Sequence, residues 1–237
     1  MMWPFDRTKT IVGSGILKGM TDWHSHILPG VDDGVKTLQE SLEIRAEMER
    51  QGVSRLWLTP HVMEDIPNTT PDLKGRFEEL EAAYHGTIRL HLAAEYMMDN
   101  LFEKRLENND LLPLGEKGDR LLVETSYFIP PMGLRNILLR IKSKGYYPVL
   151  AHPERYEYMR MSDYETLKES NILFQLNLSS LFGMYGGGVR AKAERLLKKG
   201  MYSLAGSDTH SILYYQTLVA SVVKTGIVGT LQEQNNQ

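Results

Sequence analysis

Residues 22–34 read Asp-Trp-His-Ser-His-Ile-Leu-Pro-Gly-Val-Asp-Asp-Gly and set a pattern that the rest of the chain repeats. His24 and His26 are one residue apart, and alternate residues of an extended strand point to the same side. Both imidazoles can therefore face one metal ion, and the carboxylates of Asp32 and Asp33 follow within a short loop. A His-x-His pair predicts a metal site only when matching ligands stand at the ends of later strands.

Later predicted strands do end in ligand-type residues, and an apolar run precedes each of them. Leu-Trp-Leu-Thr-Pro precedes His61, Leu-Leu-Val precedes Glu124, and Val-Leu-Ala precedes His152. Five of the seven histidines fall at such positions. The complete set is His24, His26, Asp33, His61, Glu95, Glu124, His152, Asp208 and His210. We interpret these nine residues as three His-rich metal sites that are bridged by carboxylates.

Strand-like and helix-like segments alternate about seven times, which predicts an α/β fold with parallel strands and crossover helices. The 237 residues suit a single domain, and no linker or repeat divides them. An open nucleotide-binding sheet would need a Gly-rich turn after an early strand. Gly186-Gly187-Gly188 comes too late and lacks the G-x-G-x-x-G spacing, so we interpret it as a loop. Polar residues at many strand ends favour a closed barrel, whose active sites lie there.

The composition removes several classes of function. The chain has no cysteine, which excludes a thiolate nucleophile, a disulfide framework and Cys-bound zinc. A net charge of −3 and a pI near 6.2 argue against nucleic acid as a partner. The apolar runs are strand-sized, so we expect no transmembrane segment. Residues 1–19 show no secretory signal pattern, and we expect them to be a flexible N-terminal extension.

The motifs together resemble the PHP (polymerase and histidinol phosphatase) superfamily over residues 20–222. They are His24-Ser-His26, Asp32-Asp33-Gly34, Thr59-Pro60-His61, Ala94-Glu95-Tyr96, Val123-Glu124, Ala151-His152-Pro153-Glu154-Arg155-Tyr156 and Gly206-Ser207-Asp208-Thr209-His210. Within the superfamily, the chain is most similar to the bacterial protein-tyrosine phosphatases of capsule and exopolysaccharide loci. The resemblance implies a distorted (β/α)7 TIM-like barrel, formed as a single domain by residues 20–237.

The resemblance also implies three divalent metal ions. The first would be bound by His24, His26, Glu95 and Asp208, the second by Glu95 as a bridge with Glu124 and His152, and the third by Asp33, His61 and His210. Asp32 would not be a ligand; it would either shape a turn or orient an imidazole as a hydrogen-bond acceptor. We expect manganese, and the nitrogen and oxygen donors also suit iron and zinc.

The activity implied by the resemblance is hydrolysis of phosphotyrosine by metal-bound hydroxide, with His152, Asp208 and Arg155 as catalytic residues. The guanidinium fork of Arg155 suits a phosphate group. Tyr127 and Phe128 either stack on the phosphotyrosine ring or cover the barrel end as hydrophobic packing.

The chain departs from the family pattern in one respect. Relatives carry a second arginine soon after the last Asp-x-His motif, whereas residues 211–216 contain none. Either Arg135, Arg160 or Arg190 replaces it, or the phosphate is held more weakly.

The implied substrate is the tyrosine-rich tail of a bacterial kinase that regulates polysaccharide export, which predicts a cytoplasmic protein. One alternative keeps the fold and changes the substrate to a small phosphomonoester such as histidinol phosphate. Another alternative, of a different class, is a non-catalytic metal-binding scaffold that docks a kinase. Loss of ligands would mark such a scaffold, and none of the nine is missing.

Overall fold

Strands and helices alternate over residues 8–235, which are the residues that the computed structural model describes. The strands are β1 (Thr8–Thr10), β2 (Thr21–Asp22), β3 (Arg55–Leu58), β4 (His61–Val62), β5 (Arg89–Leu92), β6 (Glu95–Met97), β7 (Arg120–Glu124), β8 (Tyr147–Ala151), β9 (Leu173–Asn177), β10 (Leu204–Gly206) and β11 (Val222–Lys224). The helices are α1 (Ile11–Ser14), α2 (Leu38–Arg50), α3 (Thr70–Ala83), α4 (Asn100–Asn108), α5 (Leu134–Ser143), α6 (Met161–Glu169), α7 (Leu178–Leu181), α8 (Gly187–Lys198), α9 (Ile212–Ala220) and α10 (Thr225–Asn235). None of these helices is both long and apolar enough to cross a lipid bilayer.

The structure has two parallel sheets, and two stretches of chain contribute one strand to each of them. The larger has the order β10-β9-β8-β7-β6-β4 and the smaller β2-β3-β5. Only Thr59 and Pro60 separate β3 from β4, and only Ala93 and Ala94 separate β5 from β6. The chain therefore passes from the smaller sheet directly into the larger one at two neighbouring places. The result is a mixed α/β fold with a curled parallel sheet.

The central residues of β7 and β8 are apolar and buried because both faces of the curled sheet are covered. In β7, Leu121 and Val123 belong to the main core beneath the helices. Leu122, which points to the opposite face, packs in a second cluster with Trp57, Val149 and Leu204 from three other strands. Both faces are thus dry, so polar side chains of this sheet concentrate at the strand ends.

Residues 8–19 are packed, in contrast to the flexible extension that the sequence led us to expect. β1 pairs antiparallel with β11, with Thr10 opposite Val222. Ile11, Ile16 and Leu17 are buried in the main core. Burial of these apolar side chains stabilises the packed segment. The basic residues nearby made this packing hard to predict from the sequence. Residues 1–7 of the predicted extension lie outside the described residues.

The interpretation of Gly186-Gly187-Gly188 as a loop is wrong for two of the three glycines. Gly186 precedes α8 with a φ of 90°, a conformation that favours glycine, and Gly187 and Gly188 form the first turn of the helix. The buried apolar face of Ala193, Leu196 and Leu197 stabilises α8 and offsets the low helix propensity of two glycines.

Candidate metal centre

Seven of the nine candidate ligands lie at or beyond the carboxyl ends of parallel strands, and His61 and Glu95 begin two short strands that come shortly after β3 and β5. They follow β2 (His24, His26 and Asp33), begin β4 and β6 (His61 and Glu95), end β7 (Glu124), or follow β8 and β10 (His152, Asp208 and His210). In the sheet register, His61 pairs with Glu95. Because neighbouring parallel strands end at the same edge, side chains that are distant in sequence meet here.

Four buried side chains converge at the centre of the cluster. His24 Nε2 and His26 Nε2 are 2.9 Å apart. Glu95 Oε2 lies 3.2 Å from His24 Nε2 and 3.3 Å from His26 Nε2. Asp208 Oδ1 lies 3.4 Å from each of the same two nitrogens. Every one of these four residues is almost completely removed from solvent.

The outer nitrogens of the two histidines show which tautomer each ring adopts. His24 Nδ1 donates to Gln175 Oε1 at 2.9 Å, and His26 Nδ1 donates to Asp32 Oδ2 at 2.8 Å. Both acceptors are oxygens without a proton, so each neutral ring carries its lone pair on Nε2. The contact with Asp32 confirms the prediction that this carboxylate orients an imidazole.

Two imidazole lone pairs and two carboxylate oxygens therefore face one another without a donor between them. Glu95 Oε2 lies 3.1–3.3 Å from nitrogens of His24, His26 and His61, yet accepts no hydrogen bond among the described residues. Buried acceptors in such an arrangement need a positive charge at their centre. The donor set fits a divalent metal ion.

The pKa values of His24 and Asp208 also indicate that the cluster favours a positive charge. Burial alone would lower the pKa of His24, but the Glu95 and Asp208 carboxylates raise it to about 9. Burial would raise the pKa of Asp208, and the charge of His24 instead holds it well below its usual range. The carboxylates thus stabilise a cation at this place, whether it is a proton on an imidazole or a metal ion.

Glu95 connects the central group to a second one. Its Oε1 lies 3.1 Å from His152 Nε2, while its Oε2 lies 3.1 Å from His61 Nδ1. Glu124 approaches both histidines, with 3.2 Å to His61 Nδ1 and 3.8 Å to His152 Nε2. One carboxylate with an oxygen in each of two ligand groups has the geometry of a bridging ligand.

The third group is more open to solvent. Asp33 Oδ1 lies 3.6 Å from His61 Nε2 and 3.6 Å from His210 Nε2. Ligand atoms within 4.8 Å of one another form four groups: His26–Asp33–His61–His210, His24–Glu95–His152, His24–His26–Asp208 and His61–Glu95–Glu124. The structure brings all nine predicted residues together, and their division among three ions stays a prediction.

Two of the candidate ligands have backbone conformations that side chains rarely adopt. His152 has a φ of 33° and Asp208 a φ of 56°, and they are two of the four non-glycine residues with positive φ in the described part of the chain. Such conformations cost free energy and persist where the surroundings enforce them, commonly at functional sites. Here they turn a ligand inward directly after a strand.

Arg155 approaches the cluster through a candidate metal ligand. Its Nη1 lies 3.4 Å from Asp208 Oδ2, and its guanidinium lies 4.2 Å from the ring centroids of both Tyr127 and Tyr185. Tyr127 also lies edge-on to His152. Phe128 is 67% exposed.

None of the three arginines considered as a second phosphate ligand pairs with a candidate metal ligand in residues 8–235. Arg190 forms an ion pair with Glu194 at 3.0 Å. Arg135 lies exposed on α5, and Arg160 lies exposed before α6.

The sequence reasoning missed three residues of the site. Gln175 Oε1 accepts from His24 Nδ1 and also from the His152 backbone N–H at 3.2 Å. Asn177 Nδ2 donates to Asp208 Oδ2 at 2.7 Å and to Tyr185 Oη at 3.1 Å. A signal existed, because Gln175 and Asn177 are polar residues on one face at the end of an otherwise apolar strand, β9. Tyr185 offered no such signal.

Comparison with known proteins places these observations in one family. The family model described as capsular polysaccharide synthesis, CpsB/CapC, matches residues 20–220. The tyrosine-protein phosphatase YwqE of Bacillus subtilis is 28% identical over 199 residues, which cover 81% of this chain and 78% of that protein. The tyrosine-protein phosphatase CpsB of Streptococcus agalactiae is 29% identical over 216 residues, covering 81% of this chain and 84% of that protein.

A solved structure is similar as well. It comes from crystallographic work on YwqE of Bacillus subtilis and CpsB of Streptococcus pneumoniae, described as metal-dependent tyrosine phosphatases. It superposes with a TM-score of 0.71 at 25% identity and covers 91% of this chain and 87% of that chain.

Proposed function

Because this chain belongs to the CpsB/CapC family of capsular polysaccharide synthesis proteins, we propose that it is a metal-dependent protein-tyrosine phosphatase. The observation that carries the proposal is the central cluster, in which His24 and His26 turn lone pairs toward the Glu95 and Asp208 carboxylates. The imidazole nitrogens and carboxylate oxygens of this cluster are ligands that a divalent cation accepts. The relatives named tyrosine-protein phosphatases support the choice of substrate.

We propose three divalent ions held by the nine side chains named above. Glu95 would hold two of them, since its two oxygens approach different histidines. The mixture of imidazoles and carboxylates suits manganese first, with iron and zinc as alternatives. Bound ions of this kind lower the pKa of water and neutralise charge on phosphoryl oxygens.

The chain's own residues position the phosphate group. Arg155 supplies a guanidinium beside Asp208, and a guanidinium fork can hold two phosphate oxygens at once. His152 and Asp208 are held inward by their backbone conformations, which fixes the direction of their ligand atoms. A tyrosine side chain leaves as a phenolate with a pKa of about 10, so it needs less protonation than a serine alkoxide would.

We propose that the two curled sheets close into a distorted (β/α)7 barrel. The Asp208 backbone N–H donates to the His24 carbonyl at 2.8 Å, and the His26 N–H donates to the Thr209 carbonyl at 2.9 Å. A parallel bridge between Ser25 and Thr209 links the same segments. These contacts join the chain after β10 to the chain after β2, which would place the ligands around one rim.

The proposed physiological substrate is the phosphorylated tail of a bacterial tyrosine kinase that regulates capsule or exopolysaccharide synthesis. Such a kinase uses ATP, so we place the reaction in the cytoplasm. We also propose that Tyr127 contacts the phosphotyrosine ring and that Phe128, exposed on the same loop, contacts the neighbouring peptide.

The proposal is tested with p-nitrophenyl phosphate and a phosphotyrosine peptide, each assayed with manganese and with a chelator. His152→Gln and Arg155→Met are expected to lower kcat/KM by about 100-fold or more, because the first removes a proposed metal ligand and the second a guanidinium that would hold the phosphate. Arg140→Met, at a surface ion pair with Glu103, is the matched control. Full activity in both site variants, or activity that resists the chelator, would overturn the proposal.

A panel of substrates distinguishes the proposed protein-tyrosine phosphatase from the two alternative functions. Preference for the peptide over histidinol phosphate and other small phosphomonoesters supports a protein-tyrosine phosphatase. Phe128→Ser is expected to raise KM for the peptide about fivefold while leaving p-nitrophenyl phosphate unchanged, since only the peptide reaches an exposed apolar side chain. Metal binding without turnover of any phosphoester would instead support the scaffold.

A further inference from the structure

The phosphate group proposed above has only one arginine in place to hold it. Within the described residues, Arg155 is the only arginine or lysine that pairs with a candidate metal ligand. The segment after His210 contains Tyr214 and Tyr215 but no arginine. Arg190, one of the three arginines considered above as a second phosphate ligand, forms an ion pair with Glu194. A further hydrogen-bond donor to the phosphate, if it lies close to Arg155, would therefore be a side chain without positive charge.

Two tyrosines lie against the guanidinium of Arg155. The ring centroids of Tyr127 and Tyr185 are each 4.2 Å from its central carbon. Cations are attracted to aromatic faces at such distances, and the attraction strengthens where water is excluded. Arg155 also approaches Asp208 Oδ2 at 3.4 Å, so three contacts restrict its orientation. Tyr185 thus fixes the direction in which the guanidinium points.

The hydroxyl of Tyr185 belongs to a chain of hydrogen bonds that starts at a metal ligand. Asn177 Nδ2 donates one hydrogen to Asp208 Oδ2 and the other to Tyr185 Oη. Tyr185 Oη and Tyr214 Oη are 2.8 Å apart. Asn177 therefore fixes the Tyr185 hydroxyl next to the same carboxylate that Arg155 approaches.

A count of hydrogens shows that this pair of hydroxyls has a donor to spare. The two hydroxyls carry two protons, and only one proton can lie between Tyr185 Oη and Tyr214 Oη. If Tyr214 donates to Tyr185, the Tyr185 proton is free; in the reverse case, the Tyr214 proton is left for a third acceptor, and the Ser179 side chain also lies near the Tyr214 hydroxyl. Burial raises the pKa of both tyrosines, so both hydroxyls stay protonated at neutral pH. A phosphate oxygen is an acceptor that can take the remaining proton.

We propose that Tyr185 and Tyr214 bind a phosphate oxygen through their shared hydroxyl pair and take the place of a second arginine. Tyr185 has the additional role of positioning Arg155 through its ring. This inference rests on the proposed phosphatase function and adds the residues that hold the phosphate group. A neutral donor pair gives direction to the phosphate without adding positive charge beside the metal ions.

The test separates the hydroxyls from the ring. Tyr185→Phe and Tyr214→Phe remove one hydroxyl each, whereas Tyr185→Leu also removes the aromatic face beside Arg155. Tyr147→Phe is the control, since Tyr147 lies half-exposed at the start of β8, at the opposite end of the strand from His152. The measurements are the Kd of inorganic phosphate by calorimetry, and kcat and KM for p-nitrophenyl phosphate, all with saturating manganese.

Each Phe variant is expected to raise the phosphate Kd and the KM about tenfold, because a hydrogen bond to a charged group is lost. The Kd is expected to stay unchanged in Tyr147→Phe. Tyr185→Leu is expected to lower kcat as well, and Tyr185→Phe is expected to retain that kcat because the ring is kept. A kcat that falls in Tyr185→Leu and is retained in Tyr185→Phe would not follow from a merely structural role of Tyr185.

Wild-type values of both Kd and KM in Tyr185→Phe and Tyr214→Phe would overturn the inference. The two Phe variants decide it even if Tyr185→Leu does not fold. Phosphate binding is measured without turnover, so the outcome is independent of the proposed activity. A wild-type protein that binds manganese and phosphate but hydrolyses neither substrate would contradict the proposed function alone.

Discussion

The orientation of the His24 and His26 rings depends on hydrogen-bond acceptors that are not themselves candidate ligands. Gln175 is the acceptor for His24. Gln175 Oε1 fixes the His24 ring and accepts from the His152 backbone. Gln175→Met keeps the length of the side chain and removes the acceptor. Metal affinity is expected to fall about 10- to 100-fold, the usual effect of losing a partner of a ligating histidine. Competition with a chromogenic chelator measures it.

Gln216→Met is the matched control for that variant, because Gln216 lies exposed on α9. The control is expected to bind metal as the wild type does. An unchanged affinity in Gln175→Met would show that packing alone fixes the His24 ring.

Protons and metal compete for His24. Without metal, burial lowers the pKa of His24 but the neighbouring Glu95 and Asp208 carboxylates raise it to about 9. The ring is therefore protonated over most of the range from pH 6.5 to 8.5 and must lose a proton to bind metal. Metal affinity is expected to rise with pH, by up to about tenfold per pH unit from this group.

Calorimetry in buffers of different ionisation enthalpy measures the protons released when manganese binds. Release of about one proton or more near pH 7 is expected. No release, together with an affinity independent of pH, would show that His24 is neutral before the metal binds.

The candidate ligands were predictable because most of them follow an apolar run and because parallel strands end at one edge. Gln175 and Asn177 were harder to find, since buried amides also serve as ordinary structural acceptors. Tyr185 was beyond sequence reasoning. It reaches Arg155 only through the fold of the segment between α7 and α8, across 30 positions of the chain.

At the scale of elements, the close approach of β10 to β2 depends on Gly206. A Cβ at this position would lie 2.5 Å from His24 Cβ and 2.7 Å from the His24 backbone nitrogen. Gly206→Ala is therefore expected to push the two strands apart and to displace His24. We expect the free energy of unfolding to fall by about 1–3 kcal/mol and metal binding to weaken. Urea unfolding and chelator competition measure the two effects.

Gly75→Ala is the matched control and should change stability in the opposite direction. Gly75 is exposed inside α3, and a Cβ there would meet no atom within 4 Å. The free energy of unfolding is expected to rise by about 0.5–1 kcal/mol, because alanine loses less conformational entropy in a helix. A stable Gly206→Ala variant with normal metal affinity would contradict the proposed role of this contact.

Element types were easier to predict than element ends. The alternation of apolar and polar segments indicated parallel strands and helices in the correct order. It could not show that Thr59-Pro60 and Ala93-Ala94 interrupt two of the strands, since both breaks lie within apolar runs. It also misplaced the start of α8, because a run of glycines is typical of a loop unless a buried apolar face stabilises the helix.

At the scale of the whole molecule, the boundary predicted at residue 20 separates the ligands from a segment that supports them. α1 contacts both β11 and α9, and the latter follows His210 directly. Ile11, Ile16 and Leu17 are buried, so a chain of residues 20–237 would expose the core that they cover. All nine candidate ligands remain in that shorter chain.

The truncated chain is expected to be less stable and still active. Burial of a large aliphatic side chain contributes about 1.5–3 kcal/mol, so losing three of them should lower the free energy of unfolding by about 5 kcal/mol. Urea unfolding of the metal-loaded proteins measures the loss, and kcat is compared at a temperature where both are folded. Ile11→Ala should show part of the effect, and Val12→Ala, at an exposed position, should show none. Equal stability of the full and truncated chains would show that residues 8–19 do not support the metal-binding domain, and a lost kcat in the folded truncated chain would show that they shape the site itself.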